Sequence, residues 1–403
     1  MSGERGRALE VFRVFLRLGL TSFGGPVAHL GYFREELVIR RRWVSERQYA
    51  ELVALCQFLP GPASSQLGFA LGLLRGGYPG AVVAWLAFTM PSALLLILFA
   101  RGVVALDNPA GQGLLAGLQA VAIAVVAHAV WGMGRTLTPD PPRIMIGLVS
   151  GTLALLLPGG PGQLAAILLG LLLGTLLRRG DEHFQGAPLD LRVSRRSGIA
   201  ALALLLLLVI ALPIAAGQLH SSWISIADAF TRAGALVFGG GHVVLPLLQA
   251  EPAIAETVDP ELFLAGYGAA QAVPGPLFAF AAYLGAEMQP GAAGVGAGLL
   301  ALLAIFLPGI LLLLAALPFW NALRTRPAVR AAVSGASAAV VGILAAALIH
   351  PLSTSGLAGP ASLLIALVCL SMILVRLPVW TAVLCGAGLG AIAGWLDLGL
   401  SWG

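Results

Sequence analysis

The chain has 403 residues, 59% of them hydrophobic and only 10% charged, with a mean hydropathy of +0.94. A water-soluble domain carries roughly a quarter charged residues, so a soluble enzyme or binding module is excluded. The net charge of +5 rests on arginine alone, scattered through short segments between apolar runs, which reads as membrane topology and not as nucleic-acid binding.

Met1–Glu10 hold no apolar stretch ending in a small-residue cleavage site, so no cleaved signal peptide is expected. An apolar segment, 9–33, follows and contains Phe23, Gly24, Gly25 and Pro26. The arginine-rich loop 34–47 leads to a second apolar segment, 48–74, which contains Gln57, Pro60, Gly61, Pro62 and Ser64. The uncharged stretches 80–100, 111–134, 292–320 and 331–349 are each close to the ~20 residues that cross a bilayer core as a helix. Between them lie 178–197, the most polar stretch, and 197–216, a further apolar span. Abundant glycine (52) and proline (25) point to close helix packing and broken helices. Cys56, Cys369 and Cys385 lie in apolar segments without metal-ligand spacing and are read as buried small hydrophobes. No cofactor and no metal are expected.

The chain is a duplication. Phe15, Arg17, Gly19, Phe23, Gly24 and Gly25 recur as Phe230, Arg232, Gly234, Phe238, Gly239 and Gly240. Gln57, Pro60, Gly61 and Pro62 recur as Gln271, Pro274, Gly275 and Pro276. Pro79-Gly80 parallels Pro290-Gly291, and Pro91 parallels Pro308. The division is a first repeat at 1–178, a polar linker with an extra span at 179–219, and a second repeat at 220–403. This ordered set, present twice, resembles the long, two-half form of the chromate transporter family. The resemblance covers essentially the whole chain and implies export of chromate, with sulfate as the related anion.

The extra span at 197–216 reverses the second repeat relative to the first, as in many secondary transporters. Arginine counting supports a particular topology. If 9–33 and 48–74 are re-entrant, the inside pieces hold 19 of the 23 arginines and the outside loops only Arg101. If both spanned, loop 34–47 would face out and its acidic counterpart 249–262 would face in, against the positive-inside rule. The expected fold is therefore an all-α polytopic membrane protein of two inverted repeats, with nine full spans and four broken or re-entrant elements. Thirteen plain spans are the runner-up. Trp131, Trp223, Trp320, Trp380 and Trp395 are read as interfacial anchors. The expected location is the bacterial inner membrane, multi-pass, and a homodimer is left open.

The breaks carry the candidate chemistry. Glycine permits the turn, and proline suits the first position of the next half-helix. Four half-helix starts meeting near the midplane would offer free N–H groups and positive dipole ends to an anion. The competing reading is that these are packing kinks only. Arg17 and Arg232, repeat-matched in apolar segments, are read as the charges that attract or gate the dianion, against snorkelling. Gln57 and Gln271 serve as donors or as caps of the broken helices. Ser22, Ser64 and Ser65 add small polar groups. His242 directly follows the second glycine break and is a candidate proton carrier; His29 has no repeat partner. The substrate-site set is thus Arg17, Phe23, Gly24, Gly25, Gln57, Pro60, Gly61, Pro62, Ser64, Arg232, Phe238, Gly239, Gly240, His242, Gln271, Pro274, Gly275 and Pro276. No P-loop is present, so ATP drive is not expected. A membrane-embedded hydrolase lacks the needed carboxylate pair or HExxH, and a channel or scramblase is separable by flux saturation. Chromate and sulfate, both tetrahedral dianions, are not distinguished by helix starts.

Overall fold

Helix follows helix along the chain, as a lipid environment demands, because each backbone N–H and C=O must be satisfied within its own segment. The structure, a computed structural model of the chain, describes residues 2–103, 106–157, 159–177, 193–323, 325–354 and 359–396. The polar linker read at 178–197 lies largely outside these residues.

In the first repeat α1 (Ser2–Thr21) stops at Ser22, and α2 (Gly25–Phe33) starts on Pro26 and runs into a π-helical stretch, Arg34–Arg40. A capping box between Ser45 and Gln48 starts α3 (Glu46–Phe58). After the break at Pro60-Gly61-Pro62 comes α4 (Ala63–Val103), which folds back on itself at Gly76-Gly77. Gly77, at φ 66 and ψ −161, has a backbone that only glycine adopts readily. Then follow α5 (Pro109–Leu137), α6 (Pro141–Leu156), α7 (Gly160–Leu177) and the connecting α8 (Arg195–Leu219). The second repeat repeats the plan: α9 (Ser222–Leu236), a break, α10 (Val244–Gln249), the short α11 (Pro252–Ala255), α12 (Pro260–Ala270), a second break, and α13 (Phe280–Glu287). It closes with α14 (Ala293–Ala316), α15 (Trp320–Leu323), α16 (Pro327–Thr354), α17 (Pro360–Leu374) and α18 (Val379–Trp395).

Both broken segments of the first repeat return to the end at which they began. Glu10, near the start of α1, accepts from Trp43 Nε1 at 3.3 Å and pairs with Arg75 at 2.8 Å. The Arg75 guanidinium also lies 5.2 Å from the Trp43 ring centre. Trp43 follows α2, and Arg75 closes the first limb of α4, so three chain positions separated by two broken segments share one end. This is the re-entrant arrangement and not thirteen plain spans.

The second limb of α4 then shows the inversion. Its start, at Gly80, lies beside the turn at Gly76-Gly77. At its far end, roughly 30 Å away at 1.5 Å per residue, Arg101 donates to the carbonyls of Gly291 (2.8 Å) and Ala286. Gly291 belongs to the turn that corresponds to Pro79-Gly80. Repeat-equivalent turns thus sit at opposite ends of one helix, as an in-plane pseudo-two-fold requires.

The repeats are interlocked and do not stand side by side. Helix α5 of the first repeat packs on α17 and α18 of the second, while its equivalent α16 packs on α6 and α7 of the first. Glycines set these contacts: a Cβ on Gly117 would strike the Gly386 carbonyl, and one on Gly342 the Gly147 carbonyl. Such close backbone approach is how helices associate where lipid removes the hydrophobic drive. The main core likewise draws on both repeats. The extra span α8 lies against α9 and α14 with most of its surface outward.

Among the described residues, six helices are long and apolar enough to cross a membrane. The remaining expected spans, α6, α17 and α18, are apolar but shorter, at 16, 15 and 17 residues. One of the tryptophan assignments needs correction. Trp320 is buried at 3% exposure, and its indole N–H meets Glu51 at 3.3 Å. That ring found a partner inside the protein, which a span-end position in the sequence does not reveal. Trp380, exposed at the start of α18, lies with its ring centre 6.1 Å from that of Phe23, beside the first break. Cys56 and Cys369 are buried, whereas Cys385 is only partly so.

Candidate functional site

The four breaks come together, and they do so crosswise. The Gly61 N–H donates to Val237 O at 2.7 Å, and the Gly275 N–H donates to Ser22 O at 2.9 Å. Val237 and Ser22 each precede the phenylalanine of a glycine break, so each Pro-Gly-Pro turn is tied to the glycine break of the other repeat. The same exchange recurs one layer further out. Gly61 lies against Gly309, and Gly275 against Ser92, the residues that follow the paired prolines Pro308 and Pro91. At φ 118 and φ 106, Gly61 and Gly275 are in the left-handed region, and a Cβ on either would come 2.9 Å from its neighbour. These two positions require glycine for both reasons.

Pro26 and its equivalent Gly241 are neighbours: a Cβ on Gly241 would lie 3.4 Å from Pro26 Cγ and from Leu277 Cδ2. The second-repeat helix opens without proline, through a single tight turn, Gly241–Val243, before α10, and the second break likewise opens through Leu277–Ala279 before α13. Beside the repeat-matched Gly25 and Gly240, an added Cβ would meet nothing within 4 Å. Open space therefore adjoins the start of each half-helix after the glycine breaks.

The structure redistributes the roles read from sequence. Gly24, Gly25, Pro60, Gly61, Pro62, Gly239, Gly240, Pro274, Gly275 and Pro276 form the gathered breaks. Phe23 packs on Trp380, and Gly239 faces Met133 and Leu137 of α5. Ser64 is buried in the first turn of the re-entrant limb. The Gly61 and Gly275 N–H groups are committed to carbonyls and do not offer themselves to a ligand. Gln57 is exposed and does not cap the break. Gln66 does: its Nε2 donates to Pro60 O at 3.0 Å and Gly309 O at 2.9 Å. Gln66 has no counterpart, since Phe280 stands there, and so the repeat comparison gave no signal for it.

Arg232 is not an isolated cation. It pairs with Asp228 at 3.2 Å and Glu251 at 2.5 Å, both carboxylates being buried. Asp228 precedes it by one helical turn, and Glu251 is brought round by the short α10, so two buried acids hold a half-exposed arginine. Arg17 is exposed and lines a cavity of about 470 Å³ with Leu9, Glu10, Arg13, Val14 and Arg41. The structure places it at the arginine-rich end and not beside Arg232.

Buried polar groups cluster around the breaks. The His242 Nδ1 lies 2.8 Å from the Tyr267 hydroxyl, and Gln271 Nε2 and His128 Nδ1 are buried without a partner. On the first-repeat side, Ser22 O receives a second contact from His29 Nε2 at 3.2 Å, while Ser22 Oγ, Ser65 Oγ and Thr89 Oγ1 are unpartnered. Unsatisfied donors in a dry interior are costly unless a water or ligand meets them. The arrangement offers a polar lining, two open half-helix starts and no metal cluster among the described residues.

A family model described as chromate transporter matches the chain twice, over residues 9–176 and 224–391. A probable chromate transport protein of Synechococcus elongatus is 28% identical over 84% of this chain and 83% of its own length. Chromate transport proteins of Cupriavidus metallidurans and Pseudomonas aeruginosa are 27% and 28% identical, each over 84% of this chain and over 81% and 79% of their own lengths. No solved structure matches the chain.

Proposed function

The chain belongs to the chromate transporter family, and on that premise we propose that it is a secondary transporter that exports chromate, with sulfate as the competing or exchanged dianion. The observation that carries this reading is the crosswise tie of the four breaks, Gly61 to Val237 and Gly275 to Ser22. Irregular backbone deep in a membrane protein is tolerated only where protein or a cavity surrounds it. Here it is held by the opposite repeat, with space left beside Gly25 and Gly240. The substrate site lies at that crossing. A dianion there would replace its hydration shell with backbone N–H groups of the half-helix starts and with the side chains of Gln271, His242 and Tyr267. Arg232, already matched by two acids, supplies no net charge to it. His242, hydrogen-bonded to Tyr267, is the candidate carrier of a coupled proton.

The test is chromate and sulfate uptake by the purified protein in proteoliposomes, with and without a pH gradient. Saturable uptake of one dianion, inhibited by the other and altered by the gradient, is expected. Flux that rises linearly with concentration would indicate a channel and contradict the secondary-transport reading.

A further inference from the structure

The two mouths of the molecule are built from equivalent residues of opposite charge. Arg13 and Asp228 each lie ten residues before the phenylalanine of their glycine break, and Arg41 and Glu256 each lie 18 residues after it. Arg17 and Arg232 are likewise matched, as are Glu36 and Glu251. In the second repeat this register gives a mouth with an excess of acid, its one cation Arg232 being held by both Asp228 and Glu251. In the first it does not. Glu10 is taken by Arg75, and Glu36 by Arg41 at 2.7 Å, with Arg40 3.7 Å away. Arg13 and Arg17 have no acidic partner among the described residues, and both are exposed on α1 around the 470 Å³ cavity that Arg41 also lines.

Two like charges one helical turn apart destabilise a helix, and among the described residues no carboxylate pairs with either. The two uncompensated charges match those of one dianion. Guanidinium forks suit its tetrahedral oxygens better than ammonium groups would. Thr21, one further turn along the same face, leads from Arg17 to the break at Ser22.

We propose that Arg13, Arg17 and Arg41 form a capture site for the tetrahedral dianion at the arginine-rich, cytoplasmic mouth, with no equivalent at the opposite mouth. This rests on the transport reading above. The site concentrates the anion on the side from which it leaves the cell, and the acid-rich opposite mouth lets it go. The same tetrahedral oxyanion chemistry is offered by a phospholipid headgroup, so the test separates the two sources.

Full-length protein in nanodiscs of neutral phosphatidylcholine is titrated with radiolabelled sulfate at low ionic strength. Binding should weaken at least tenfold in Arg13→Gln and in Arg17→Gln, weaken steadily with added salt, and be kept only in part in Arg17→Lys, whose ammonium holds the charge without the fork. Unchanged affinity in both glutamine variants overturns the proposal. So does an effect of the substitutions seen only in phosphatidylglycerol nanodiscs, as loss of bound lipid. In proteoliposomes the same variants should raise the half-saturating concentration at the arginine-rich face about tenfold with the maximal rate kept. Wild-type protein that moves no dianion would sink the transport reading while leaving the sulfate titration to decide the site. Normal transport with unaltered half-saturation in the variants would sink the capture site alone.

Discussion

Arg232 illustrates what a repeat comparison reads well and what it does not. Its match to Arg17 is plain in the sequence, but its pairing with Glu251 depends on how tightly the glycine break and α10 turn the chain back. Removing one partner of a buried ion pair leaves uncompensated charge, at a cost of about 3–5 kcal/mol. Arg232 is 38% exposed on its side chain, so the lower end applies. Arg232→Ala should therefore lower the thermal midpoint in detergent, and Arg232→Met combined with Asp228→Asn and Glu251→Gln should restore most of it. Arg17→Ala, which breaks no ion pair, should leave the midpoint within error. Equal midpoints for Arg232→Ala and wild type would mean the pair contributes nothing. At Gly61, alanine meets both a left-handed backbone and the Gly309 Cα. The expected loss is roughly 2 kcal/mol, read in the same melts, and an unshifted Gly61→Ala would contradict the tight crossing. Glycine and proline spacing made these positions legible. The cap at Gln66 was not legible, because its acceptor Gly309 is 243 residues away.

At the scale of elements, the re-entrant segments were readable because arginine distribution is a record of sidedness. What the sequence did not show is that both half-helices of the second repeat begin as tight turns, at Gly241–Val243 and at Leu277–Ala279. The contacts of Glu10 with Trp43 and Arg75 put loop 34–47 at the α1 end, and the inversion puts loop 249–262 at the other. Ser45→Cys in intact cells should be shielded from an impermeant maleimide and react only after permeabilisation, whereas Thr257→Cys should react from outside. Thr257 is exposed on its loop, so its failure to react while Ser45→Cys does would reverse the assigned sidedness. Labelling of both from one side would break the inversion itself.

For the molecule as a whole, the duplication announced two halves, and two halves facing each other across a mobile boundary were the natural expectation. The packing changes that picture. Because α5 and α16 each lodge among helices of the opposite repeat, rocking one repeat against the other would pull apart glycine contacts such as Gly117 with Gly386 and Gly342 with Gly147. Any alternating motion involves layers drawn from both repeats. Helix exchange of this kind leaves no trace in apolar sequence, where lipid-facing and protein-facing surfaces look alike. It does predict that a chain ending before α8 is unstable when expressed alone and recovers only when the remainder is co-expressed; a first repeat that purifies alone as a monodisperse folded protein would contradict the interlocked core. The central claim, that the dianion binds where the four breaks cross, is tested most directly by locating the ion. The measurement is an experimental structure of the protein saturated with chromate, with the chromium found by its anomalous scattering. The account predicts a chromium peak between Gly25 and Gly240, touching residues of both repeats, in addition to any at Arg13 and Arg17. A structure whose bound chromium contacts one repeat only, with water filling the crossing, would contradict it.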